Sequence, residues 1–252
     1  MPTVGLLYPG HSAEDDYPAL EERLATAGHG DVRLPLVHTS VGEDAHRVDA
    51  LLDLGGHERL VEGARSLTAR VALDSLMWAC TSGSFVFGWE GAHRQVEQLA
   101  EATGLPTSST SIAFVNACRA LGLERVAVAA SYPQDVAERF VEFLGRGGIE
   151  VTSMGSHGIV TAAEVGTLTR AQVVALVRGV DRERAQAVLV PDTAMHTLAW
   201  VDDLEDAAGM PVLTANQVTV REGLVLAGAP PTLPGLGTLF SPSATAAGGG
   251  TR

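Results

Sequence analysis

An α/β fold with a mainly parallel sheet is predicted by three features of the chain. Short apolar runs of strand length alternate with amphipathic helical patterns throughout. Most of those runs are apolar on consecutive residues, as strands covered by helices on both faces require. The helical patterns stop at Gly, often with Pro close behind. The strand-like runs lie at 3–8, 32–37, 73–79, 125–130, 149–154, 187–190 and, more weakly, 211–214.

Three helices have readable ends. Over 90–103 the positions Ala92, Val96, Leu99, Ala100 and Thr103 form one stripe, and Gly104 then Pro106 stop it. A second begins at Pro133, a residue suited to a first helical turn, and carries Val136, Phe140, Val141 and Leu144 before Gly145. A third is expected over 194–208, with Ala194, Leu198, Val201, Leu204 and Ala208 on one face before Gly209 and Pro211. The pattern repeats coarsely. The run 73–79, then Cys80-Thr81-Ser82, then a helix, matches 187–190, then Asp192-Thr193-Ala194, then a helix. Two related lobes are therefore expected, 1–115 with 217–240 and 116–216. The Pro-, Gly-, Ser- and Ala-rich end, 241–252, is expected to be disordered.

With 252 residues, 46% hydrophobic and 19% charged, the chain can bury a sizeable core. A formal charge of -13, from 17 basic against 30 acidic residues, disfavours a nucleic-acid backbone or an anionic membrane as partner. The opening MPTVGLLYPG lacks the pattern of a secretory leader, and no apolar run reaches the roughly 18 residues of a membrane span, so a cytoplasmic location is expected. Two cysteines too far apart for a CxxC pair fit a reducing compartment. There is no HExxH, paired-cysteine or EF-hand pattern, no GxGxxG and no P-loop. The expectation is chemistry without metal or cofactor.

In an open parallel sheet, ligands gather beyond the carboxyl ends of the strands. Four loops qualify: Tyr8-Pro9-Gly10-His11-Ser12, Cys80-Thr81-Ser82-Gly83-Ser84, Ser131-Tyr132 and Asp192-Thr193. Thr214-Ala215-Asn216-Gln217, after the weak strand, is a fifth. Cys80 ends a buried strand where loop and helix amides are placed to lower a thiol pKa, and its hydroxyl-rich neighbours Thr81, Ser82 and Ser84 suit a carboxylate or an enolate. Against this stands a cysteine buried for packing. Cys118 reads as an inert core residue, since Ile112, Val115 and Leu121 surround it at near-helical spacing. Asp192 is open to two readings, a helix N-cap or an acid or base facing Cys80 across a cleft. His11 and His196 are candidates for the site, whereas His29, His46, His57 and His93 read as solvated. Phe85 and Trp89 read more readily as core or interface aromatics than as specificity residues.

Five segments taken together, TVGLLYP, WACTSGSF, GLPTSSTSIAFVNACRALGLERVAVAASYPQDV, AVLVPDT and MPVLTANQVTVREGL, resemble the maleate isomerase and arylmalonate decarboxylase branch of the aspartate/glutamate racemase superfamily. The likeness runs from Thr3 to about Phe240. It implies two pseudosymmetric flavodoxin-like lobes with mainly parallel four-stranded sheets, an active site in the cleft between them, no cofactor, and a homodimer or larger assembly. Such enzymes commonly place a cysteine in each lobe. Cys80 aligns with the first, Thr81 and Ser82 with carboxylate-binding neighbours, and Tyr132 with the tyrosine after the first strand of the second lobe. The second cysteine is replaced by Asp192, and decarboxylases of the branch show the reverse loss. The expected activity is that of an isomerase on a small carboxylate or dicarboxylate, like maleate cis–trans isomerase. Cys80 is nucleophile or base in this reading and Asp192 the second catalytic group. Expected around the substrate are Tyr8, Pro9, Gly10, His11, Thr81, Ser82, Tyr132, Thr193, Ala194, His196 and Asn216. The alternatives are an arylmalonate-type decarboxylase, a racemase of amino-acid derivatives and a non-catalytic carboxylate-binding protein.

Overall fold

A computed structural model describes residues 1–242; of the tail expected at 241–252, residues 243–252 lie outside the described residues. In chain order the first half contains β1 (Val4–Pro9), α1 (Asp16–Thr26), β2 (Leu36–Thr39), α2 (Val48–Leu54), α3 (His57–Thr68), β3 (Ser75–Trp78), α4 (Ser82–Phe85), α5 (Gly88–Thr103), β4 (Thr107–Ser109) and α6 (Thr110–Ala120). The second half contains β5 (Arg125–Ala130), α7 (Gln134–Arg146), β6 (Glu150–Ser156), α8 (Ala162–Gly166), α9 (Arg170–Gly179), β7 (Ala187–Val190), α10 (Val201–Ala208), β8 (Val212–Thr214) and α11 (Ala215–Leu226).

The strands form two four-stranded parallel sheets of matching order, β2-β1-β3-β4 and β6-β5-β7-β8. The α/β expectation and its coarse internal repeat thus correspond to two sheets of one topology. β3 (SLMW) and β7 (AVLV) occupy equivalent inner positions and are buried at every residue, the burial that runs without polar alternation demand. Gly104 and Gly209 end α5 and α10 in the left-handed conformation, which a residue without Cβ adopts at no steric cost.

Three local expectations change. β2 begins at Leu36 instead of at residue 32; the segment before it joins β1 through the Thr3–Arg33 bridge and the Leu6 N–H donated to the Pro35 carbonyl at 2.9 Å. β4 was not expected, because its three residues Thr-Ser-Ser are polar and become a strand only through pairing with Leu76, Met77 and Trp78 of β3. The helix expected over 194–208 starts only at Val201. Asp16 of α1 is the reason. Its Oδ2 accepts the backbone N–H groups of Thr197 (2.8 Å) and Leu198 (3.1 Å), fixing them to a carboxylate from the other lobe in place of helical carbonyls.

Two helices cross between the lobes. α6 follows β4 of the first sheet and α11 follows β8 of the second; they pack together, with the Thr110 and Thr219 hydroxyls 2.6 Å apart and Asn116 donating to Glu222 at 2.7 Å. α11 then lies on the first sheet, where Ser75 donates to the Gly223 carbonyl at 2.8 Å. The expected lobe boundaries at 115/116 and 216/217 fall inside these two helices. An aromatic joint completes the contact: Phe85 of the first half meets Tyr132 and Phe140 of the second at ring distances of 5.9 and 5.3 Å. Such pairs add about 0.5–1.5 kcal/mol beyond the area they bury. Cys118 is fully buried in the same core, as expected. Among the described residues no helix is long and apolar enough to cross a membrane.

Candidate active site

The carboxyl ends of β1, β3 and β7 converge on a cavity of about 240 Å³. Cys80 and Asp192, two residues beyond the ends of β3 and β7, both line it, together with Tyr8, Pro9, Gly10, His11, Ser82, Thr193 and Ala194. The other four residues expected there have different positions. Thr81 is buried at the head of α4, beside Tyr132. Tyr132 lies behind the cavity wall and donates its hydroxyl to the Pro191 carbonyl at 2.9 Å. His196 faces Asp15 at 2.7 Å, outside the cavity. Asn216 is a buried structural link, donating to Asp16 (3.0 Å) and accepting from Tyr17 (3.1 Å).

Cys80 is held by the turn into α4. The Gly83 N–H points at its sulfur at 3.3 Å, and the Ser82 hydroxyl lies 3.9 Å away. The approach is tight at Gly83, where a Cβ would sit 3.1 Å from the sulfur and 3.0 Å from the Trp78 ring. The expectation that these donors lower the thiol pKa is corrected. Burial dominates and pushes the Cys80 thiol up to about 12, with Asp192 adding to the rise, while the Gly83 and Ser82 donors oppose it. Sulfur is therefore protonated at rest, with two donors aimed where negative charge develops on it.

Asp192 lines the cavity with Cys80 and is held on both carboxyl oxygens. Its Oδ1 accepts the Ala194 N–H at 3.0 Å in a turn of N-cap type, but no helix starts there. Its Oδ2 accepts the Ser131 hydroxyl and lies 3.9 Å from His46 Nε2. Both side chains are nearly inaccessible, 3% for Asp192 and 5% for His46.

His46 corrects the reading of a solvated residue. Its Nδ1 meets the Ile159 carbonyl at 3.0 Å, its backbone N–H donates to Val160 at 2.7 Å, and its ring stands edge-on to Tyr132 at 4.9 Å. Two positions earlier, Asp44 accepts the N–H groups of Ala162 (2.8 Å) and Ala163 (3.1 Å). The loop after β2 thus clasps the loop after β6 over the cavity. Tyr8 makes a second bridge between the lobes, donating to the Thr193 carbonyl at 2.9 Å.

The remaining wall is apolar, formed by Val41, Leu51, Leu54, Ala162 and Ala163, with Glu43 and Asp44 also on the lining. No Lys or Arg lines the cavity among the described residues. An anionic substrate must therefore be held by N–H groups, hydroxyls and His46. The Val41–Leu54 wall and His46 were not anticipated from sequence. The strand-end rule identifies Val41 and His46 once β2 is read to its true end at Thr39, because Ser40 to Arg47 is then a strand-end loop; Leu51 and Leu54 come from the helix α2 that follows it.

The profile of the family described as arylmalonate decarboxylase matches residues 55–240. An arylmalonate decarboxylase of Bordetella bronchiseptica is 32% identical over 251 residues, covering 96% of this chain and 98% of that protein. A maleate isomerase of Geobacillus stearothermophilus is 29% identical over 175 residues, covering 67% and 69%. Among solved structures, a liganded arylmalonate decarboxylase carrying one glycine-to-cysteine and one cysteine-to-serine replacement superposes with a TM-score of 0.81 at 27% identity, covering 96% of this chain and 99% of that one. A Nocardia farcinica maleate cis–trans isomerase, a cysteine-to-serine mutant with a covalently bound succinylcysteine intermediate, gives 0.84 at 25% identity, covering 95% and 98%. The chain therefore belongs to the arylmalonate decarboxylase family, within the maleate isomerase and arylmalonate decarboxylase branch of the aspartate/glutamate racemase superfamily.

Proposed function

We propose that the protein is a cofactor-independent isomerase of a small carboxylate, with Cys80 as the group that bonds to or protonates the reacting carbon and Asp192 as its proton-transfer partner. The observation that carries this reading is that a thiol and a carboxyl from equivalent strand ends line one cavity. For a cis–trans substrate, sulfur bonds to one alkene carbon while the π pair moves toward the carboxylate as an enediolate, and the thiol proton passes to Asp192. Rotation about the resulting single bond and expulsion of sulfur restore the alkene; Asp192 returns the proton to sulfur, so no other reagent is consumed. The N–H of Gly83 and the Ser82 hydroxyl favour the charge that appears on sulfur as it leaves. The isomerase relative supports the covalent step, since it forms its succinylcysteine intermediate with one cysteine replaced by serine.

A second reading, arylmalonate-type decarboxylation, is favoured by a specific feature: the Cys80 thiol, pushed up to about 12, carries at rest the proton that this reaction must deliver. Loss of CO₂ leaves its bonding pair on the α-carbon as an enediolate, and the Cys80 S–H supplies the proton. The apolar wall of Val41, Leu51 and Leu54 suits an aryl substituent. Incubation with maleate and with phenylmalonate in D₂O, followed by NMR, separates the two. Fumarate formation supports the isomerase, and CO₂ release with deuterium at the α-carbon supports the decarboxylase. Binding of either acid without turnover contradicts both and leaves a carboxylate-binding protein.

A further inference from the structure

We propose that His11, Glu14 and His38 form a binding site for a divalent transition-metal ion of the zinc class at the entrance to the cavity. The three residues are far from any sequence motif for metal, because one comes from strand β2 and the other two from the loop between β1 and α1. His38 stands on β2, opposite Tyr8 in the register of the parallel pair. His11 follows β1, and Glu14 lies just ahead of α1.

Their geometry fits a small tetrahedral ion. Glu14 Oε1 is 3.0 Å from His11 Nδ1 and 3.5 Å from His38 Nε2, and one ligand atom from each residue falls within 4.8 Å of the others. Bonds of about 2.0–2.2 Å to zinc place neighbouring ligand atoms of a tetrahedron roughly 3.3–3.5 Å apart. The two separations from Glu14 Oε1, 3.0 and 3.5 Å, lie close to that edge. The site is also prearranged. Ser12 donates its N–H to Glu14 Oε2 at 2.7 Å, which turns Oε1 toward the imidazoles, and the two rings are 4.0 Å apart. A chain of net charge -13 concentrates cations near such a site.

Two imidazoles and one carboxylate leave a fourth position for water or a ligand. Since His11 also lines the cavity, an ion bound here sits on the route of any anionic substrate. This inference is independent of the reaction proposed above.

The test is calorimetric titration of the full-length, chelator-treated protein with ZnCl₂. The variants are Glu14→Gln, His38→Ala and, as a control for thiol binding, Cys80→Ser. One equivalent should bind to the wild type and to Cys80→Ser, and affinity should drop by about 100-fold or more in Glu14→Gln and His38→Ala. Zinc binding that is absent, or equally tight in both ligand variants, overturns the site. Titration of the wild type with Co²⁺ gives a readout that does not depend on the variants folding. Visible bands of a low-symmetry N,O site without sulfur charge transfer support the assignment, and a thiolate band or no band refutes it.

Discussion

The ends of β3 and β7 are the same place in two copies of one sheet, yet they are built differently. After β3 the chain turns at once into α4, and the backbone N–H of Gly83 reaches the Cys80 sulfur. After β7 the chain runs without helix until Val201, and Asp192 is fixed by Ser131 and Ala194. The cause lies in the opposite lobe, where buried Asp16 takes the Thr197 and Leu198 N–H groups. A thiol needs little more than a dry wall and a glycine, whereas a buried carboxyl needs a fixed set of donors. Equivalent topology thus places two unlike groups in one cavity.

The largest expected effect breaks the pair on the β3 side. Cys80→Ala should lower kcat for whichever of maleate or phenylmalonate is turned over by about 10³-fold or more, with unchanged circular dichroism. Retained turnover removes Cys80 from the chemistry. The thiol's environment is checked by alkylation with iodoacetamide. Because burial pushes its pKa up to about 12, the rate at Cys80 should climb about tenfold per pH unit between pH 7 and 10 without levelling off. A plateau near neutral pH contradicts a protonated resting thiol.

The β7 side is tested through its support. Asp16→Ala leaves two buried N–H groups and the Asn216 amide without their acceptor, and should cost about 3 kcal/mol in urea unfolding. Burial holds the Asp16 carboxyl above its ordinary value of 3.8, despite the Thr197, Asn216 and Leu198 donors. A group raised in this way takes up protons on folding, so its contribution to stability falls as pH rises from 3.8 through the folded value. Asp16→Asn keeps an acceptor and should flatten that slope; an unchanged slope assigns it to other groups. The smallest effect is expected away from both strand ends. Cys118→Ala removes a buried sulfur, should cost about 1 kcal/mol, and should leave kcat unaltered.

Much of this comparison was legible in the sequence. Runs 125–130 and 187–190 coincide with β5 and β7, and the repeat of a polar residue after a buried strand located Cys80 and Asp192. What escaped depends on partners remote in sequence. The Thr-Ser-Ser strand is defined by its neighbour, and the unwound stretch before Val201 by a carboxylate about 180 residues earlier in the chain. His46 was misread for a simpler reason. With β2 placed too early, the loop carrying it was not recognised as a strand end, although His46, Val41 and Asp44 close the cavity. Asn216 shows the opposite error, a strand-end polar residue whose donors and acceptors are consumed by Asp16 and Tyr17.

That the two strand ends serve one compartment is tested most directly without any substrate, by the rate of Cys80 alkylation at pH 8 in the wild type and in Asp192→Asn. Asp192 helps to raise the thiol pKa, so removing its charge should accelerate alkylation severalfold. Identical rates in two folded proteins would mean that the carboxyl and the sulfur do not sense each other, and the paired chemistry proposed for them would be wrong.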